Sequence, residues 1–176
     1  MKALMKFLPV VLMAFFMMSC ELFNVDVDKT LSAKLNIFVD DAAKKSTTGV
    51  TFSDSTQLDL SDYEEYADKI VEVEVGNVIA RVDTVSKVGV VFYAGTVFSV
   101  WDDEDLVEWA LDSDWPLEKD AVLTLDDLNG QYPDLEAILL RQGTVTVKAV
   151  GECSEGGVFV GIAIDMETTI TGNILE

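Results

Sequence analysis

Hydrophobic and polar residues alternate along the stretch that begins at residue 31. The hydrophobic positions are Leu31, Ala33, Leu35, Ile37 and Val39, and mainly polar side chains lie between them. A period of two places each set on its own face of an extended chain, so this stretch predicts a strand with one buried face.

The same pattern continues downstream, where strands are predicted at residues 50–52, 58–60, 71–82, 88–101 and 121–125. Within the segment 71–82 the hydrophobic set shifts by one position at Gly76-Asn77, which is typical of a β-bulge. The stretch from Val88 to Trp101 is hydrophobic on both faces, which predicts a strand covered on both sides.

Two segments carry helix signals. Ser61 and Glu64 have the spacing of a capping box, which predicts a short helix that ends near Lys69. Pro133 to Gln142 predicts a second helix, because its hydrophobic residues share one face and Gly143 follows as a C-terminal stop.

The last part of the chain predicts two further strands, Thr144 to Val150 and Val158 to Ile170, joined as a long antiparallel hairpin by a glycine-rich turn. Cys153 lies in that turn. Seven to nine strands, two short helices and no βαβ rhythm predict a mainly β fold. The expected architecture is an antiparallel β-sandwich, immunoglobulin-like or similar.

The N-terminus has a different pattern. Lys2 and Lys6 precede an almost wholly apolar run from Phe7 to Met18, and the small residue Ser19 follows. A helix of this run would reach only about 18 Å, short of the ~30 Å hydrocarbon core, so the pattern indicates a cleavable export signal.

The signal ends in Met17-Met18-Ser19-Cys20, which resembles the lipobox of bacterial lipoproteins over the first 20 residues of the chain. The resemblance implies that Cys20 carries diacylglycerol, that cleavage occurs before it, and that the new amino terminus is acylated. The residue directly after Cys20 is Glu21, and not the Asp that resembles an inner-membrane retention signal. The resemblance therefore also implies attachment to the outer membrane. The combination of this signal, an acidic segment after it and a predicted β-sandwich is similar to that of small lipoproteins of Bacteroidetes-type bacteria.

This interpretation divides the chain into a signal at 1–19, a lipidated acidic tether at 20–29 and a β-sandwich domain at 30–176. Residues 1–19 contain two Lys and no acid. The rest of the chain therefore has 10 Lys and Arg and 32 Asp and Glu, which gives a net charge of −22. Such a body repels nucleic acid and favours cationic partners and metal ions.

Several catalytic systems are excluded by composition. The chain contains no His, which removes Ser-His-Asp and Cys-His systems and the usual zinc sites. If Cys20 is lipidated, Cys153 has no internal partner for a disulfide, and its acidic neighbours do not favour a thiolate. Glycoside hydrolysis by two carboxylates is the one reaction class left open, and we expect a non-enzymatic protein.

The segment from Trp101 to Asp127 contains all three tryptophans, Trp101, Trp109 and Trp115, together with eleven acids and one base. One interpretation is a recognition surface, where indole rings stack on sugars or on a partner protein. The other places Trp101 and Trp109 in the core, above a solvated acidic loop and a short helix near residues 105–111. The core interpretation is favoured.

Calcium is the candidate metal, because clustered carboxylates provide the oxygen ligands it prefers, and the candidate ligands are Asp102, Asp103 and Asp105. Residues 125–136 are a near-match to an EF-hand loop, in which positions 3, 5, 6 and 12 are occupied by Asp127, Asn129, Gly130 and Glu136. Leu125 occupies the first ligand position, so a true EF-hand is not expected.

Three functions follow from these observations. The first is a non-enzymatic, membrane-anchored lipoprotein of the bacterial cell envelope that binds a protein or glycan partner or has a structural role. The second is a Ca²⁺-dependent carbohydrate-binding module accessory to glycan uptake. The third is a carboxylate-based glycoside hydrolase, which requires a concave cleft with two facing acids, at least one of them largely buried.

Overall fold

The computed structural model describes residues 24–42, 49–58, 60 and 69–173. The predicted export signal, Cys20 and most of the helix predicted from Ser61 lie outside these ranges. In chain order the described strands are β1 (Asn24–Val39), β2 (Val50–Gln57), β3 (Ile70–Val85), β4 (Val91–Phe92), β5 (Val97–Trp101), β6 (Leu106–Ala110), β7 (Trp115–Pro116), β8 (Val122–Thr124), β9 (Thr146–Cys153) and β10 (Val158–Asn173). One described helix, α1 (Gln131–Leu140), lies between β8 and β9.

The strands form two antiparallel sheets. The first has the order β1-β10-β3-β8, so the last strand of the chain lies between β1 and β3. In the second sheet β9 is central and pairs with β2 on one side and with β5 and β4 on the other, while β6 and β7 continue beyond these. The predicted fold class, an antiparallel β-sandwich, is confirmed, with ten strands in the described ranges.

The core lies between the inner faces of the two sheets. Leu35 and Ile37 of β1 are fully buried, as are Phe92 and Phe98 of the second sheet. The alternation seen in the sequence therefore identifies the buried face of β1 correctly, because every second side chain of a strand points to the same face.

The bulge predicted at Gly76-Asn77 is also confirmed. Asn77 pairs with Glu167 and Val75 pairs with Thr168, which leaves Gly76 as the extra residue of β3. Two side chains of α1 bind the backbone of β3 beside this bulge. Glu136 Oε1 accepts a hydrogen bond from Val75 N, and the Tyr132 hydroxyl accepts one from Val78 N.

Helix α1 begins two residues before the predicted start and buries Leu135, Ile138 and Leu139, the three residues that the pattern placed on one face. It packs against β3 of the first sheet. In the part of the chain that the structure describes, no helix is both long enough and apolar enough to cross a membrane.

The predicted hairpin of the last two strands is wrong. Strand β9 belongs to the second sheet and β10 to the first, and each has partners on both sides. The connection between them crosses from one sheet to the other past Asp41. A Cβ on Gly156 would lie 2.9 Å from Asp41 Cα, so the glycines of this segment allow a close crossing.

The stretch 88–101 and the short helix near 105–111 also require correction. Gly95, with φ +86°, lies in a turn that separates β4 from β5, so 88–101 is not one strand. Residues 106–110 form strand β6 instead of a helix, because Val107 and Trp109 alternate with exposed neighbours and pair with β5.

The first strand reaches into the segment predicted as a tether. Residues 24–29 are exposed or half-buried, yet they belong to β1 and pair with β10 from Asn24, opposite Asn173, onward. The ordered sheet therefore begins four positions after Cys20.

Candidate functional site

An open groove of about 510 Å³ lies where the edges of the two sheets face each other. Strand β6 and the turn after it form one wall, and β8 with the loop before α1 forms the other. The lining includes two of the three tryptophans, Trp109 and Trp115, and four carboxylates, which are Glu108, Asp112, Asp114 and Asp126. The described residues that line the groove include no Lys or Arg.

Both groove tryptophans are largely buried. Trp109 is 6% exposed, and its indole Nε1 donates a hydrogen bond to the carbonyl of Asp126 at 3.2 Å. Trp115 is 7% exposed and makes edge contacts with the rings of Phe92 and Phe98, at centroid distances of 6.3 and 6.1 Å. These two residues thus belong to the core and present only small parts of their rings to the groove.

Trp101 lies apart from the other two. It is half-buried at the end of β5, opposite Leu106 and Thr146, and it lines a shallow depression with Lys148. Side chains of a strand alternate between faces, so Trp101 points to the face opposite that of the buried Phe98. The three tryptophans therefore do not form one surface, and Trp101 is not a core residue of the same kind as Trp109.

The acids proposed as calcium ligands surround the turn between β5 and β6. Asp102 Oδ1 accepts hydrogen bonds from the backbone N–H groups of Glu104 and Asp105, at 2.9 and 2.8 Å. Asp102 Oδ2 accepts one from Arg141 Nε at 2.6 Å, and Arg141 Nη2 donates to Asp105 Oδ2 at 2.8 Å. The hydrogen bond from Arg141 lowers the pKa of Asp102 to about 2.

Two of the three proposed calcium ligands are thus bound to a guanidinium group, while Asp103 is exposed. Within the described ranges, no group of three or more Cys, Asp or Glu side chains is arranged to hold a metal ion. The sequence pattern did not single out Arg141. The available signal was its position, since Arg141 is the one base within the predicted helix 133–142, next to its C-terminal end, in a chain rich in acids.

The residues of the EF-hand near-match have structural roles. Asp127 Oδ1 accepts a hydrogen bond from Tyr132 N in the first turn of α1, at 3.2 Å. Gly130 occupies the N-cap position with φ +83°, a left-handed conformation that glycine adopts without strain. Glu136 accepts a hydrogen bond from Val75 N of β3, as described above. These residues therefore stabilise the start of helix α1 and its contact with the sheet.

Cys153 is not in a loop, contrary to the prediction, but is the last residue of β9 and fully buried. Burial raises the pKa of its thiol, and the nearby charge of Glu155 raises it further. A thiolate is therefore disfavoured at neutral pH, which argues against a nucleophilic role.

The four carboxylates of the groove are all exposed, and Asp114 Oδ1 accepts a hydrogen bond from the backbone N–H of Ala94 at 3.0 Å. The largely buried acid that the hydrolase hypothesis requires is not among the groove residues. Exposed carboxylates beside aromatic edges can accept hydrogen bonds from hydroxyl groups or bind cationic groups.

No protein-family model matches the chain, and no curated protein is significantly similar to it. Among solved structures, the chain is similar to the crystal structure of the decameric BFDV capsid protein, with 8% sequence identity and a TM-score of 0.31. The match covers 84% of this chain and 98% of the capsid chain.

Proposed function

We propose that this protein is a lipoprotein of the bacterial cell envelope, anchored through lipid on Cys20, whose β-sandwich has a non-enzymatic binding or structural role. The observation that carries the proposal is the position of Cys20 at the end of a lipobox-like signal, four residues before β1 begins at Asn24. An anchor in that position would hold the folded domain directly at the membrane, and we propose the outer membrane.

The buried state of Cys153 supports the assignment of lipid to Cys20. The chain has two cysteines, and the fully buried Cys153 is not accessible to a modifying enzyme. Two or three acyl chains bury many CH₂ groups at about 0.8 kcal/mol each, which is sufficient for stable anchoring.

The test is metabolic labelling of the full-length protein in a bacterial host with a radioactive or clickable palmitate. We expect the label in the wild-type chain and in the Cys153→Ala variant, and both proteins in the membrane fraction. The Cys20→Ser variant should lack the label and leave the membrane fraction. Membrane retention of unlabelled Cys20→Ser protein would refute the anchor.

A second candidate function is carbohydrate binding in the groove between β6 and β8. It is supported by one specific observation, the presence of Trp109 and Trp115 edges beside exposed carboxylates in an open groove. A calcium requirement would need the cation to compete with Arg141 for Asp102 and Asp105, because both acids are bound to that side chain.

This second function predicts a change in tryptophan fluorescence when a panel of glycans is added, with and without Ca²⁺. The Asp112→Asn and Asp126→Asn variants, both at exposed groove positions, should weaken the response. Glu118→Gln, at an exposed position outside the groove lining, is the matched control. Flat titrations across a broad panel would remove this candidate.

A further inference from the structure

The inner face of the first sheet continues beyond the core at one end. Val25 and Val27 share the face of β1 that buries Leu31, because they follow the same alternation. Leu31 is 3% exposed, whereas Val27 is 39% and Val25 is 44% exposed. The hydrophobic face therefore extends past the cover that the rest of the sandwich provides.

Neighbouring strands contribute to the same exposed end. Val27 pairs with Ile170 of β10, and Gly172 pairs with both Val25 of β1 and Ile70 of β3. These residues line a shallow apolar depression of about 90 Å³, together with Lys29, Lys69 and Asn173. We call this set the proximal end, defined as Val25, Val27, Lys29, Lys69, Ile70 and Ile170.

The two faces of the sheet differ in chemistry at this end. On the opposite face, Asp26 accepts a hydrogen bond from the Thr171 hydroxyl and Asp28 accepts one from the Thr169 hydroxyl, at 2.8 and 2.9 Å. Among the described residues that line the proximal end there are two lysines and no carboxylate. The chain as a whole has 32 acids and 12 bases. A surface that combines hydrophobic residues with two lysines therefore differs in the sign of its charge from most of the protein.

The chain brings this surface close to the lipid. Three residues separate Cys20 from Asn24, and the four residue steps between the two Cα atoms span at most about 14 Å in an extended chain. The other end of the sheet is far away, because β3 runs 16 residues from Ile70 to Val85, or about 50 Å at 3.3 Å per residue. Val88, which is 96% exposed, follows that distal end.

We propose that the proximal end rests on the bilayer that holds the lipid of Cys20. The inference rests on the proposed lipid anchor. The valines and isoleucines lie at the boundary between headgroups and acyl chains, and Lys29 and Lys69 extend to the lipid phosphates. Because the anchor makes this contact intramolecular, a modest apolar surface is sufficient to orient the domain.

The experiment uses lipidated full-length protein in vesicles of phosphatidylethanolamine and phosphatidylglycerol. A nitroxide is attached to Val27→Cys in one variant and to Val88→Cys in the matched control. Cys153 is buried and does not compete for the label. Collision with oxygen, which enriches in the bilayer, is compared with collision with a water-soluble nickel complex.

We expect the ratio of oxygen to nickel collision at position 27 to rise at least about twofold on insertion into vesicles, because the side chain enters the boundary between headgroups and acyl chains. The ratio at position 88 should not change. Lys29→Glu and Lys69→Glu together should reduce the rise at position 27, whereas Lys87→Glu near the distal end should not.

Equal ratios at positions 27 and 88 in protein that co-sediments with the vesicles would overturn the docking inference while leaving the anchor intact. Failure of the proposed function has a different signature, since a chain without lipid would not co-sediment at all. A proximal end that docks would restrict the domain to one orientation, with its distal end directed away from the membrane.

Discussion

Arg141 Nε donates a hydrogen bond to Asp102 Oδ2 at 2.6 Å, which joins the residue after helix α1 to the turn between β5 and β6. The side chain of Asp102 is 6% exposed, and its second oxygen organises the turn through two backbone N–H groups. This contact links the helix on the first sheet to the edge of the second sheet.

The Arg141→Gln substitution should raise the pKa of Asp102 from about 2 toward its ordinary value of 3.8, because it removes the largest cause of the lowering. Carbon-13 NMR of the carboxyl group during an acid titration measures this change. The Lys87→Gln variant, which loses a surface ion pair with Glu155, is the control and should leave the titration of Asp102 unchanged.

The same shift predicts the direction of a pH effect on stability. A carboxylate with a lowered pKa contributes stability above its unfolded pKa of 3.8, and this contribution is lost as pH falls toward 2. The loss of stability across this window should be smaller in Arg141→Gln than in the wild type. Equal slopes in the two proteins would contradict the assignment.

Tyr132→Phe should lower the free energy of unfolding by about 1–3 kcal/mol, because it leaves two backbone groups without their partner. The hydroxyl accepts a hydrogen bond from Val78 N and donates one to the carbonyl of Leu125, at 3.2 and 3.1 Å. Urea denaturation measures the change. Glu136→Gln keeps an acceptor for Val75 N and should change stability by less than about 0.5 kcal/mol.

Gly151→Ala should destabilise the protein by about 1–3 kcal/mol through overpacking. A Cβ at this position would lie 2.7 Å from Cβ and 2.8 Å from Cγ2 of Thr96, a buried residue. Gly143→Ala is the matched control, because an added Cβ there meets nothing within 4 Å. Thermal unfolding compares the two, and a melting temperature equal to that of the control would disprove the contact.

Cys153 should resist a water-soluble thiol reagent in the native protein, because its side chain is fully buried and its pKa is raised. In denaturant, the lipid-processed chain should show one reactive thiol. A second thiol would show that Cys20 carries no thioether, and rapid native labelling would contradict the burial of Cys153.

The positions of the tryptophans show how far the sequence predicts the candidate site. The core interpretation is correct for Trp109, which is buried in the core. Trp115 is buried there as well. Val107 and Trp109 flank Glu108 in the alternation that a strand requires, but the sequence pattern predicts a helix at this position. The surrounding acids favour a helix start, and two alternating positions are too few to outweigh that signal.

The local spacing of hydrophobic residues determined the buried faces of the long strands, the bulge at Gly76 and the buried residues of α1, because each depends on side chains only a few positions apart. The anchor hypothesis at Cys20 came from a short sequence motif at the end of an apolar run. Only the tertiary structure assigned β9 and β10 to different sheets, joined Arg141 to Asp102, and left Val27 exposed at the start of β1. Alternation defines which face is buried but carries no information about the strand or loop that will cover it.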